Sequence, residues 1–259
     1  MKIGILALGR PTFDVQYAKE RLTASLNYLS STNHNILGSC ELLLDEQDAL
    51  NEINKFKNED LDFIIIIQVT FTDSSTLLKI ASCLEKPIGI WAFPEPRQSG
   101  RLRLNAFCGL NLASHTLGLN NIPFSWIYEN PESIEETKFE ILINSNNSKR
   151  PEKILEIPSL GSKKAKSIKE KIHNFKIGKI GSHPDGFDTC KYDQKKLIGL
   201  CGIKVDEIEI DTFLNNSRNV KSEEIEPTFN KLKRTISSIK DVNQNALMLS
   251  LKLENSLKK

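Results

Sequence analysis

Long apolar runs are missing from this sequence. The longest, Phe63–Ile67, falls far short of the roughly 18 residues that a bilayer-crossing helix needs, so no membrane partner is expected. Its β-branched side chains read instead as a buried strand. A secretory leader is missing as well: Met1-Lys2 runs directly into Ile3-Gly4-Ile5-Leu6, without separate basic, apolar and small-residue regions, and a cytoplasmic location is expected. The five cysteines, Cys40, Cys83, Cys108, Cys190 and Cys201, are odd in number and form no C-x-x-C pair. That pattern suggests neither a disulfide framework nor a zinc knuckle, and the thiols are expected reduced and buried. Charge of one sign is not in excess: 35 basic residues face 33 acidic ones, for a net charge of +2. No nucleic-acid partner is expected without a clustered basic footprint. The one basic run, Lys163-Lys164-Ala165-Lys166 with Lys169 and Lys171, lacks the interleaved aromatics on which bases stack, and reads as an exposed helix or solvated linker. There is no G-x-S-x-G elbow, no H-E-x-x-H and no Walker lysine. Histidine is scarce, at four residues, and none follows His183. A mixed carboxylate and imidazole metal site therefore cannot be built from the second half, and no metal ligand is assigned.

What is present is alternation. Strand-like stretches at Lys2–Leu8, Ile36–Leu37, Asp62–Gln68, Pro87–Trp91 and Phe124–Tyr128 are separated by helix-like ones at Val15–Leu29, Asp45–Phe56, Ser74–Leu84 and Leu104–Leu117. This pattern predicts α/β architecture, a parallel-sheet Rossmann-like first domain over residues 1–145. Asp14, and Asp73 or Ser74, stand where helix N-caps belong. Residues 146–174 turn to Asn, Ser, Lys, Pro and Gly and read as a linker. Residues 175–259 open a second α/β domain, with strands Lys176–Ile180 and Lys204–Ile210 about a helix Asp193–Leu200, followed by an amphipathic helix Val242–Leu257. That last helix reaches Leu257-Lys258-Lys259 without a cap, which reads as a truncated end.

Ligands of open parallel sheets bind outside the carboxyl ends of the strands. Three such loops are polar here: Gly9–Asp14, Gln68–Asp73 and Ala92–Arg101. The loops are rich in Arg, Gln and Thr, a set suited to hydroxyl or anionic groups, and Arg10, Arg97 and Arg101 are candidates for contact with a polyol. The alternative is that Arg10, Arg97 and Arg101 pair with Asp14, Asp73 and Glu95 merely to hold the loops. Glycines in Gly178-Lys179-Ile180-Gly181-Ser182-His183-Pro184-Asp185-Gly186-Phe187 flank a turn but match neither nucleotide fingerprint. His183 is a further candidate for binding or acid–base work, against a structural role beside an Asp-Gly turn. His115 is expected to be packed or hydrogen-bonded, and His34 and His173 to lie on the surface.

Three segments carry a family resemblance: Ile3-Gly4-Ile5 to Asp14; Trp91-Ala92-Phe93-Pro94-Glu95-Pro96-Arg97 through Gly100–Asn105 to Cys108–His115; and Ile177–Gly181 to Phe187. In these the sequence resembles the N-terminal portion of L-fucose isomerase-like proteins, in the fucose/arabinose isomerase superfamily. The resemblance implies aldose–ketose interconversion of a monosaccharide, with a divalent metal, usually Mn2+, polarising the two oxygens while carboxylates move the proton. It places the metal-binding residues beyond Lys259, so this chain alone is expected to bind no metal, to hold no catalytic residue and to be inactive. It also implies a homo-oligomer, a trimer or hexamer, in which the front domain covers a neighbour's active site and presents Arg10 and the Thr70-Phe71 loop to the sugar. The fucose enzymes typically carry Trp where Phe71 stands, which leaves the sugar open. Two other readings compete: a non-catalytic sugar-binding or regulatory module of the same fold, and a periplasmic-type solute-binding protein, against which the missing leader argues.

Overall fold

In the computed structural model, which describes residues 1–97, 100–144 and 162–258, the chain divides into two compact units. One comprises Met1–Glu156 with Pro184–Lys191, the other Ile157–His183 with Tyr192–Lys259. The first alternates β1 (Lys2–Leu8), α1 (Val15–Ser30), β2 (Asn35–Gly38), α2 (Glu46–Phe56), β3 (Phe63–Gln68), α3 (Ser75–Leu84), β4 (Ile88–Ala92), α4 (Ala106–Leu119), β5 (Phe124–Tyr128) and α5 (Glu136–Asn144). Among the described residues the strands form one parallel sheet in the order β2-β1-β3-β4-β5. This is the expected Rossmann-like α/β architecture.

Helices on both faces leave a central parallel strand no wet side, and every residue of β3 is buried. Trp91 on β4 stands in register with Ile67 on β3 and Ala7 on β1, so these three point to one face. There Trp91 and Phe139 of α5 both meet Tyr28 of α1, at 5.7 and 5.4 Å between ring centroids. Gly4 and Gln68 have the opposite parity and point to the other face. Gly4 lies beneath Phe56 of α2, and Gln68 lies against Gly109 of α4. The chain leaves β1 toward β2 and leaves β3 toward β4, in opposite directions across the sheet, which opens a crevice at the carboxyl ends of β1 and β3.

The second unit holds α6 (Ser162–Ile172), a parallel pair β6 (Lys176–Ile180) and β7 (Lys204–Ile208), and α7 (Gln194–Cys201) between them in sequence. Three helices follow, α8 (Ile210–Arg218), α9 (Ser222–Thr235) and α10 (Gln244–Lys258). Val220, Ile225 and Leu251 form their small core. No described helix is long and apolar enough to cross a membrane.

Several local expectations need correction. The second strand of this unit ends at Ile208, and Ile210 instead opens α8. Residues 146–161 of the expected linker lie outside the described residues, and its basic run forms the exposed helix α6, one of the two readings given for that run. The cysteines are free but not buried: Cys40, Cys83, Cys108 and Cys190 are exposed and Cys201 half-buried. His34, expected on the surface, is half-buried: its ring packs on Phe139 at 6.0 Å and meets the Glu140 carboxylate.

Candidate functional site

The loops at the carboxyl ends of β1, β3 and β4 are tied together by side chains that bond backbone groups. Asp14 caps α1 by accepting the Tyr17 N–H at 3.0 Å. It also takes the Arg103 Nε–H at 2.9 Å, while the Arg103 guanidinium lies 3.8 Å over the Tyr17 ring. The Tyr17 N–H, and then Arg103, hold the Asp14 carboxyl below its ordinary value of 3.8. Glu95 accepts the backbone N–H groups of Arg103, Leu104 and Asn105, the last at 2.9 Å. These donors precede α4 and would otherwise face one another unpaired. Leu104 in turn gives its carbonyl to the Phe71 N–H at 2.9 Å.

Gln68, 1% exposed, organises the β3–α3 loop from below. Its Nε2 donates to the Thr70 carbonyl at 2.7 Å and to Thr72 Oγ1 at 2.9 Å. A side chain on Gly109 would stand 3.0 Å from Gln68, so the glycine is what lets α4 rest on it. Thr70 is buried and its hydroxyl accepts the Arg10 N–H at 2.8 Å. The Arg10 guanidinium forms an ion pair with Asp73, which also accepts from the backbone and hydroxyl of Ser75.

Beside that pair opens a cavity of about 220 Å3, at the crevice between β1 and β3. Gly9 and Arg10 line it from β1, Asp45 and Glu46 from the start of α2, and Asp73 and Thr76 from the start of α3. One guanidinium with three carboxylates suits a polyhydroxylated ligand, whose hydroxyls both donate and accept.

The six sequence candidates do not all meet. Arg10, Thr70 and Phe71 are neighbours, with the Phe71 ring 6.3 Å from Phe13 and 5.6 Å from Phe187. Arg101 is exposed and donates to the Thr12 carbonyl at 2.9 Å, bridging the β4–α4 and β1–α1 loops. Arg97 is exposed at the same end, with no ion pair among the described residues. His183 is half-buried and belongs to the second unit. The alternative in which arginines clamp loops holds for Arg10 with Asp73, whereas Asp14 takes Arg103 and Glu95 takes backbone. Sequence reasoning put Gln68 in a candidate loop and Arg103 in a segment of the resemblance without singling out either, and missed the Asp45-Glu46 wall, where Asp45 read only as the start of a helix. Among the described residues no three His, Cys, Asp or Glu side chains gather as a metal site would require.

Comparison with known proteins adds a lineage. A family described as fucose/sulfoquinovose isomerase, N-terminal domain, matches residues 4–147. Sulfoquinovose isomerase of Priestia aryabhattai is 24% identical over 203 residues, covering 78% of this chain and 41% of that protein. The enzyme of the same name from Clostridium sp. (strain MSTE9) is 23% identical over 226 residues, covering 86% of this chain and 45% of its own. That from Alkalicoccus urumqiensis is 25% identical over 184 residues, with 70% and 37% covered. The chain thus spans less than half the length of these relatives.

Proposed function

Because the chain belongs to the fucose/sulfoquinovose isomerase N-terminal domain family, we propose that it supplies the front domain of an aldose–ketose isomerase whose substrate is sulfoquinovose. The observation that carries this reading is where the family match falls. Residues 4–147 take in the sheet from β1 to β5 and each of its carboxyl-end loops, so Arg10, Thr70, Phe71, Arg97 and Arg101 all lie inside the match. The relatives named for sulfoquinovose favour that sugar over fucose or arabinose in this reading.

The chemistry of the loops is compatible with such a substrate. A sugar sulfonate carries a permanent anion with three acceptor oxygens and several hydroxyls. Arg10 is already neutralised by Asp73, which suits it to hydroxyl groups. Arg97 and Arg101 are exposed cations at the rim and fit the sulfonate, since a guanidinium presents five donors in a fixed fork. In this reading the chain binds and orients one end of the open-chain sugar and shields it from water. The divalent metal implied by the resemblance finds no donor set among the described residues. In this reading the domain takes no metal ligand and no proton-transfer step, and reaction at C1 and C2 falls to other parts of the assembled enzyme.

Titrating the 259-residue protein with sulfoquinovose and following amide resonances tests the reading. Shifts at Arg10, Thr70 and Arg101, absent with glucose, are expected by about 10 mM, enough to fill sites of millimolar Kd. No shift at those amides refutes it. With Mn2+ added, the chain alone is expected to form no ketose; turnover would show that it carries the chemistry itself.

A further inference from the structure

The chain leaves the second unit at His183 and rejoins it at Tyr192, and the segment between, Pro184–Lys191, packs as part of the first unit. It lies on the β3–α3 loop. The Gly186 carbonyl accepts both the N–H of Ser74, at 3.2 Å, and its hydroxyl, at 2.7 Å, and Ser74 is only 2% exposed. Gly186 has φ +76, and a Cβ there would stand 2.9 Å from both Cβ and Oδ1 of Asp73. Phe187 sets its ring 5.6 Å from that of Phe71. Asp73 is thus enclosed between Gly186 on one side and Arg10 with Ser75 on the other. Nothing in the family match, which ends at residue 147, extends to this segment.

We infer that Pro184–Lys191 is a strap that positions the substrate-facing loops: Gly186 and Phe187 fix the β3–α3 loop, and through Asp73 they set the direction of the Arg10 guanidinium. Both are positioning residues. Gly186 has no side chain because the Asp73 carboxylate occupies that space, and its left-handed backbone is one that residues with a Cβ adopt at a cost. Phe187 closes an edge of three rings, Phe13, Phe71 and Phe187, that joins the β1–α1 loop, the β3–α3 loop and the strap. The functional consequence, though not the geometry, rests on the sugar-binding reading above.

The test uses the whole chain and needs no sugar for its first arm. Phenylglyoxal modifies accessible guanidiniums, and peptide mass mapping gives the rate at each arginine. Gly186→Ala and Phe187→Ala are expected to raise the rate at Arg10 severalfold while Arg103, held by Asp14 and Tyr17, keeps its rate. Exchange of the Ser74 amide should accelerate about tenfold, the factor for loss of one hydrogen bond of ordinary net strength. Phe187→Leu, which keeps an apolar contact, should fall between parent and Phe187→Ala. Unchanged rates at Arg10 and Ser74 overturn the inference. Equal acceleration at Arg10 and Arg103 with a lower melting temperature also overturns it, because the strap would then be a general brace. In a second arm sulfoquinovose is added to the parent protein. Failure to protect Arg10 there counts against the sugar reading, while the strap is still judged on the first arm.

Discussion

Exchanging Glu95 for glutamine changes one atom of a clamp on which two loops depend. In the parent, the carboxylate oxygens share three N–H donors: Oε1 serves Arg103 and Leu104, and Oε2 serves Leu104 and Asn105. A glutamine offers one acceptor oxygen and places an NH2 group where the other stood, so one backbone N–H faces a donor. An N–H deprived of its acceptor in a half-buried loop costs about 1–3 kcal/mol, and removing a negative charge beside a helix N-terminus adds roughly 0.3–1 kcal/mol. The sum centres near 2–3 kcal/mol. For a domain of this size each kcal/mol moves the melting point by about 2–4 °C, so a fall of roughly 4–12 °C is expected. Differential scanning fluorimetry reads the first quantity. Amide exchange at Leu104 and Asn105 reads the local one, which matters because two units need not melt as one. A melting point within about 2 °C of the parent, together with unchanged exchange at those amides, would refute the claim that Glu95 holds the loop.

Three further outcomes are expected. Asp14 has its folded pKa below the ordinary 3.8, so its contribution to stability is complete above that value and is lost as pH falls through the folded pKa; melting curves of Asp14→Asn and parent should converge as acid is added below about pH 4. Gly89→Ala would bring a Cβ to 2.8 Å from the Phe63 ring and 3.0 Å from Leu142, and urea unfolding should show a loss of about 1–3 kcal/mol. Arg10→Ala removes a pair exposed enough to be worth about 0–1 kcal/mol; its melting point should stay near that of the parent while the sulfoquinovose shift at Thr70 disappears.

The sheet was legible because its determinants are local. Runs such as Phe63–Ile67 declare a buried strand, and Asp14, Asp45 and Asp193 each cap the helix they precede through their own side chains. Helix α5 passed unnoticed although Phe139, Leu142 and Ile143 are buried at helical spacing, because the helix is short and follows an irregular polar stretch. At the site, loop composition marked Arg10 and Thr70, but partner choice did not follow from it. Arg103 in place of Arg10 took Asp14 across a sequence separation of 89, and composition carries no distance. The Pro184-Asp185-Gly186 turn was readable as a turn, yet its docking on Ser74 spans a separation of 112 and left no periodic trace.

That separation has a consequence for synthesis. All the strands of the five-stranded sheet are made by Tyr128, and the helix that covers its last strand by Asn144, so the sheet can close while the ribosome is still translating the rest. The Ser74 hydroxyl and N–H then wait for a carbonyl that is not yet in the polypeptide. At about 5–20 residues per second the delay before Gly186 arrives is a matter of seconds, long compared with loop closure. The scaffold is therefore born before its loops are set, and the order of events along the messenger separates having the fold from having the site.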